Sequence, residues 1–251
     1  MPTLPFDLAA ACAHLSSRDE ILAELISATA QFHLDEILAE SPYHALAEAI
    51  AYQSISGKAA ATIFGRVKAL SSTGGVPMPQ EMLKLKKPAL RKAGLSGAKV
   101  LAMKDLAQKT IDGVVPTLAQ AEKMSDEELV ERLVSVRGIG AWTVEMFLIF
   151  RLGRPDVLPI HDLGVKKGWS VAYGKKHMPT PKQLLAFGER WRPYRTVASW
   201  YMWRAFERAG HAATNKIRPA KLKRRMRTNP AGTKVGKRKS VRAATRKRKS
   251  H

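Results

Sequence analysis

The chain has 251 residues, 45% of them apolar, enough for one sizeable core or two small ones. Its 43 Lys and Arg against 21 Asp and Glu give a formal net charge of +22, which makes a polyanion, nucleic acid above all, the leading partner. The single cysteine, Cys12, excludes an internal disulfide, a four-cysteine zinc site and a four-cysteine iron–sulfur cluster.

Taken in order, the N-terminal "MPTLPFDLAAACAHL" lacks a basic leader region and carries Asp7, and no run approaches the roughly 18 apolar residues of a membrane span. A soluble intracellular protein with no membrane partner is expected. The runs "RDEILAELISATAQFHL", "YHALAEAIAYQSISGKAAATIFGRVKAL", "AKVLAMKDLAQKTI", "DEELVERLVSV" and "VASWYMWRAFERAG" all space apolar residues at three and four. Gly- and Pro-rich breaks separate them at 71–79, 112–116, 153–159 and 178–181. No period of two stands out, so an all-α body of roughly ten helices is expected. Sixteen of the 43 basic residues and no acidic one lie between Asn215 and His251, leaving the body upstream mildly basic. A segment so charged and so poor in large apolar side chains reads as a disordered basic tail over 215–251, with 1–214 as the body.

The stretch "RGIGAWTVEMF" joins two of these helices. Ser125 and Glu128 read as a capping box starting the first, and Gly138 and Gly140 end it before Ala141 opens the second. The first amides of that second helix lack partners within it, and a partly positive helix end behind a glycine turn suits a phosphate. The alternative is a plain helical hairpin whose glycines serve as a cap and a close contact.

"LVSVRGIGAWTVEMFLIF" resembles the helix-hairpin-helix of the DNA glycosylase superfamily, and Asp162, 22 residues after Gly140, resembles the aspartate of that family's following loop. "AEAIAYQSISGKAAATIFGRV" and "ERWRPYRTVASWYMW" are similar to motifs of its alkylation-repair branch, 3-methyladenine DNA glycosylase II, in a compact form. The resemblance implies a two-lobed helical fold, with a hairpin lobe over about 41–160 and a second lobe from the N-terminal helices plus about 161–214. The residues before the Gln53 helix are too few for the extra N-terminal domain of longer relatives. Double-stranded DNA with alkylated bases is the implied partner, bound by a monomer in the cytoplasm or nucleoid, or in the nucleus of a eukaryotic host.

Glycosylases that also cut the strand use a lysine to form an imine, two residues after the second hairpin glycine. Here that position is Trp142, so the resemblance implies a monofunctional enzyme that excises N-methylated purines with water and leaves an abasic site. Asp162 is the catalytic candidate, because cleavage of an N-glycosidic bond builds positive charge on the sugar that a carboxylate stabilises. It also reads as a helix N-cap, and Asp156 is a rival carboxylate in a turn. Trp142, Trp203 and Met146 are the implied base-pocket residues, an indole face attracting a cationic purine by roughly 0.5–2 kcal/mol. Tyr43 and Tyr52 are further fillers; Trp191, Trp200 and Trp203 share one helical stretch that also reads as core, with Trp200 the lesser pocket candidate beside Trp203. Gln53, Ser54 and Ile55 lie where the family's wedge approaches DNA, or else pack between helices. Arg137, Gly138, Ile139, Gly140, Lys166, Lys167 and Arg195 are the candidate DNA contacts. No cofactor is required, but the family pattern allows a sodium or potassium ion on main-chain carbonyls near Val134, Val136 and Ile139, bridging hairpin and phosphate. Two other functions fit the sequence: a non-catalytic DNA-binding or nucleoid protein, and a glycosylase/lyase using a lysine such as Lys166.

Overall fold

Short polar residues set the helix starts. Asp7, Asp19, Ser41, Ser56, Ser96, Ser125 and Asp162 each accept an amide of the turn they begin. The structure, a computed structural model, describes residues 4–34 and 41–225, with side chains as far as Gly210. Among these residues it is all-α: α1 (Leu8–Arg18), α2 (Glu20–Ala28), α3 (Pro42–Tyr52), α4 (Gly57–Lys68), α5 (Pro79–Lys84), α6 (Lys87–Lys92), α7 (Gly97–Ile111), α8 (Leu118–Ala121), α9 (Asp126–Val134), α10 (Ala141–Phe150), α11 (Leu163–Ala172), α12 (Pro181–Gly188) and α13 (Arg195–Arg225). The number exceeds the expected ten because α5, α6 and α8 span only 6, 6 and 4 residues, too short to show a period. Reciprocal capping boxes occur at Thr117/Gln120 and Thr180/Gln183, whereas at Ser125 only the serine half forms.

Helix α7 is the platform of the hairpin side, packing against α3 and α5, while α9 and α10 pair with each other and α10 crosses α3. The other side joins the chain's beginning to its later helices. Buried Asp19 caps α2 and also accepts the Tyr173 hydroxyl at 2.6 Å and the Trp191 indole N–H at 3.1 Å. Phe32 packs on Trp200 at 5.4 Å, and Arg208 donates to the Ala28 carbonyl at 3.0 Å. Trp191 and Trp200 are core, and Tyr43 is buried with its hydroxyl on the Pro77 carbonyl.

Residues Met1–Ala209 form one unit and Gly210–His251 another. Residues 215–225, assigned to the basic tail from composition, are helical: alanine, leucine, lysine and arginine are good helix formers whatever their net charge. The remainder of that tail, 226–251, lies outside the described residues.

Candidate active site

Asp162 ends the loop after α10 and caps α11. The residue is 9% exposed, and three N–H groups converge on its carboxylate. Val165 N–H and the Trp203 indole donate to Oδ1 at 2.7 and 2.8 Å, and the Trp142 indole donates to Oδ2 at 2.8 Å. The carboxylate is thereby fixed by groups from α10, α11 and α13, while loop residue His161 beside it is exposed.

Buried Asp19 offers an instructive contrast. It too caps a helix and accepts an indole N–H, but its donor Trp191 is fully buried. At Asp162 the donor Trp142 is 46% exposed, and its ring lines a cavity of about 550 Å³. Alanine and leucine residues of α3, with Tyr52, Gln53 and Ser54, form one wall of this cavity. Trp142, Met146, Phe147 and Phe150 of α10 form the other, with Glu48 and Arg151 as its charged pair. A purine fits within this volume. Trp142 thus joins the two parts of the site, its N–H on the carboxylate and its ring on the cavity.

Trp203, expected in the pocket, is not among the lining residues. It reaches the cavity through Phe150, stacked on it at 5.7 Å and 23°. Gly164 makes this possible, since a Cβ there would stand 2.7 Å from the Trp203 ring. Gly168, one turn on, lets α11 approach α13 so closely that a Cβ would fall 1.8 Å from the Met202 carbonyl oxygen.

The only charged residue of α10, Glu145, was not singled out from the sequence, although a lone charge in so apolar a helix is a usable signal. Its Oε2 is buried without a hydrogen bond. Burial, and then the nearby charge of Asp162, push its carboxyl up to about 7. From the ordinary value of 4.5 up to about 7 the unfolded chain releases this proton while the native state keeps it, so native stability falls as pH rises through that window and levels off above it. We expect Glu145→Gln to flatten this part of a melting-temperature profile recorded from pH 4 to 8; a profile parallel to wild type would show that another group is responsible.

The hairpin is held from α7. The Arg137 amide donates to Asp105 at 2.7 Å, Asp105 pairs with Lys109 at 3.2 Å, and Lys109 donates to the Ser135 carbonyl. Of the two glycines only Gly138 needs its freedom, at φ 81°; Gly140 has φ −103° and open space where a side chain would stand. The α10 amides of Ala141 and Trp142 have no carbonyl within the helix to receive them, which is the arrangement an anion needs. Ile139 departs from its expected role: its side chain is core and its amide already donates to the Val136 carbonyl at 3.0 Å. Arg137 and Gly140 are exposed. The carbonyls of Val134, Val136 and Ile139, the expected holders of a monovalent cation, lie in this same turn, where Lys109 already occupies the Ser135 carbonyl.

Gln53 joins the end of α3 to the hairpin, its side-chain amide donating to the Gly138 carbonyl at 2.9 Å. Lys99 of α7 holds the Ala51 and Gln53 carbonyls at 2.8 and 2.7 Å, so the chain leaves α3 through Ser54 at φ 60°, with Ile55 exposed. Arg195 is not available to phosphate. It is clamped on Asp156 through Nε and Nη2 at 2.7 and 3.0 Å with a side chain 11% exposed, which also removes Asp156 as a rival to Asp162. Lys166 is half-buried on α11, and Lys167 sits over the Phe206 ring at 5.1 Å.

A helical body with a glycine hairpin between α9 and α10, and with a helix-capping aspartate whose tryptophan donor lines a cavity, is of the helix-hairpin-helix class. The chain belongs to the HhH-GPD superfamily of base excision DNA repair proteins, whose family model matches residues 47–193. It is 38% identical over 209 residues to DNA-3-methyladenine glycosylase 1 of Schizosaccharomyces pombe, covering 83% of this chain and 91% of that one. Among solved structures, the S. pombe 3-methyladenine DNA glycosylase in complex with abasic DNA aligns at TM-score 0.70 and 38% identity, covering 78% of this chain and 95% of that one. A DNA-3-methyladenine glycosidase of Bacillus halodurans aligns at TM-score 0.71 and 31% identity, covering 81% and 91%.

Proposed function

We propose that the protein is a monofunctional DNA glycosylase of base excision repair that hydrolyses the N-glycosidic bond of alkylated purines such as 3-methyladenine in duplex DNA. The observation that carries this reading is the Trp142–Asp162 pair: the position where a strand-cutting relative would place an imine-forming lysine holds an indole, and that indole donates to the carboxylate at 2.8 Å. In the reaction the bond from C1′ to the purine nitrogen breaks and its electron pair leaves on the base, cancelling the base's positive charge. Positive charge develops on the sugar, which the Asp162 carboxylate stabilises, and water adds at C1′ and loses a proton. The hairpin amides and Gly138–Gly140 hold the strand, and the extruded base enters the cavity against Trp142, Met146 and Tyr52. The enzyme acts as a monomer where the DNA is, in the nucleoid or nucleus.

Wild-type protein is expected to release free methylated purine from alkylated duplex DNA and to give no covalent adduct when borohydride is added to an abasic duplex. A borohydride-trapped adduct would sink the monofunctional reading, and failure to release base would sink the enzymatic one. Removing residues 226–251, which carry 10 Lys and Arg, is expected to weaken binding to undamaged duplex and flatten its salt dependence while single-turnover excision persists. Unchanged salt dependence on removal would exclude that segment from phosphate binding.

A further inference from the structure

The cavity is not uniformly apolar. Glu48 on α3 and Arg151 at the end of α10 both line it, and Arg151 Nη2 meets Glu48 Oε2 at 2.7 Å with both side chains partly exposed. Glu48 Oε1 and the other guanidinium nitrogens of Arg151 have no hydrogen bond among the described residues. An ion pair in a base-sized cavity does little for folding when both partners keep solvent contact, the usual contribution being about 0–1 kcal/mol. Its effect on a charged ligand is larger, because a base that fills the cavity displaces water from around the pair, and a fixed charge then acts through a lowered dielectric.

Purines methylated at a ring nitrogen enter the site as cations. A lone arginine would repel them, and a carboxylate beside it cancels that repulsion while leaving one oxygen free to accept an N–H from the base. Resting on the glycosylase reading above, we propose that Glu48 is a specificity residue, the counter-charge that admits cationic purines to the cavity, and that Arg151 positions it.

The two partners make opposite predictions, whereas a merely structural ion pair predicts the same loss from either. With a duplex carrying one 7-methylguanine under single-turnover conditions, Glu48→Gln is expected to lower excision about tenfold or more, since Arg151 then faces the cation alone. Arg151→Gln is expected to leave the rate unlowered or to raise it. On a duplex carrying neutral hypoxanthine or ethenoadenine, where wild type acts on one, Glu48→Gln is expected to change the rate less than about threefold by the same electrostatic argument. Equal losses from both variants, or no effect of Glu48→Gln on the cationic base, would overturn the proposal. Asp162→Asn is the control for the underlying reading: loss there with unchanged Glu48→Gln refutes only the counter-charge, whereas activity retained in Asp162→Asn refutes the glycosylase mechanism itself.

Discussion

Asp162→Asn is expected to cut single-turnover release of methylated purine by about 10²- to 10⁴-fold, the range for removing a group that stabilises charge in a transition state. The substitution is nearly isosteric, and asparagine caps helices as well as aspartate does, so the Val165 amide keeps its partner. What changes is the pairing with the indoles. The carboxylate takes Trp142 on one oxygen and Trp203 on the other, and an amide has only one oxygen. One indole N–H then loses its acceptor and faces another donor, at about 1–3 kcal/mol, or a melting temperature lower by several degrees for a chain of this size. Excision within tenfold of wild type, in a protein that still melts cooperatively, would remove Asp162 from the mechanism.

Gly168→Ala carries the largest stability effect. Its Cβ would lie 1.8 Å from the Met202 carbonyl oxygen and 2.5 Å from the carbonyl carbon, and these are backbone atoms that no rotamer change can clear. Helix α11 must back away from α13, at an expected cost of about 3 kcal/mol or more and a melting temperature lower by about 6 °C or more. Gly164→Ala meets the Trp203 ring instead, at 2.7 Å, and a side chain can yield. We therefore expect it to lose less stability but to lose excision, because the displaced indole leaves Asp162 Oδ1. Gly97→Ala, at a helical position with nothing within 4 Å of the added methyl, is the matched control and should melt close to wild type. Melting curves of the three, with excision measured alongside, separate the roles; a Gly168→Ala curve as high as the control's would refute the close approach of α11 and α13.

Much of the fold was legible because long helices display their period and their caps locally. Ser96, Ser125 and Asp162 each begin an element by a rule confined to a few neighbouring residues. Helices α5, α6 and α8 escaped because one or two turns show no periodicity. At the site, Asp162 and Trp142 stood out through the resemblance. Arg195 did not declare its partner, because Asp156 lies 39 residues away and only the loop's path brings them together. Glu48 and Arg151 are 103 residues apart, and nothing local marks either as facing a cavity. Glycines 164 and 168 read as ordinary weak points of a helix until α13 is laid against them. Isolated charges and glycines within apolar helices were the residues whose meaning depended on distant packing.

The anchoring of Asp162 bears on how such an enzyme changes its substrate. Val165 and Trp203, two of its three donors, do not line the cavity, and Trp142 alone belongs to both. Mutational drift along the facing walls of α3 and α10 can therefore reshape the chamber without loosening the carboxylate, with Trp142 the position least free to vary. On the proposed mechanism the layout separates a chemical engine from a replaceable lesion filter, and directed evolution toward new lesions should begin at positions such as Ala45, Ala49, Tyr52 and Met146.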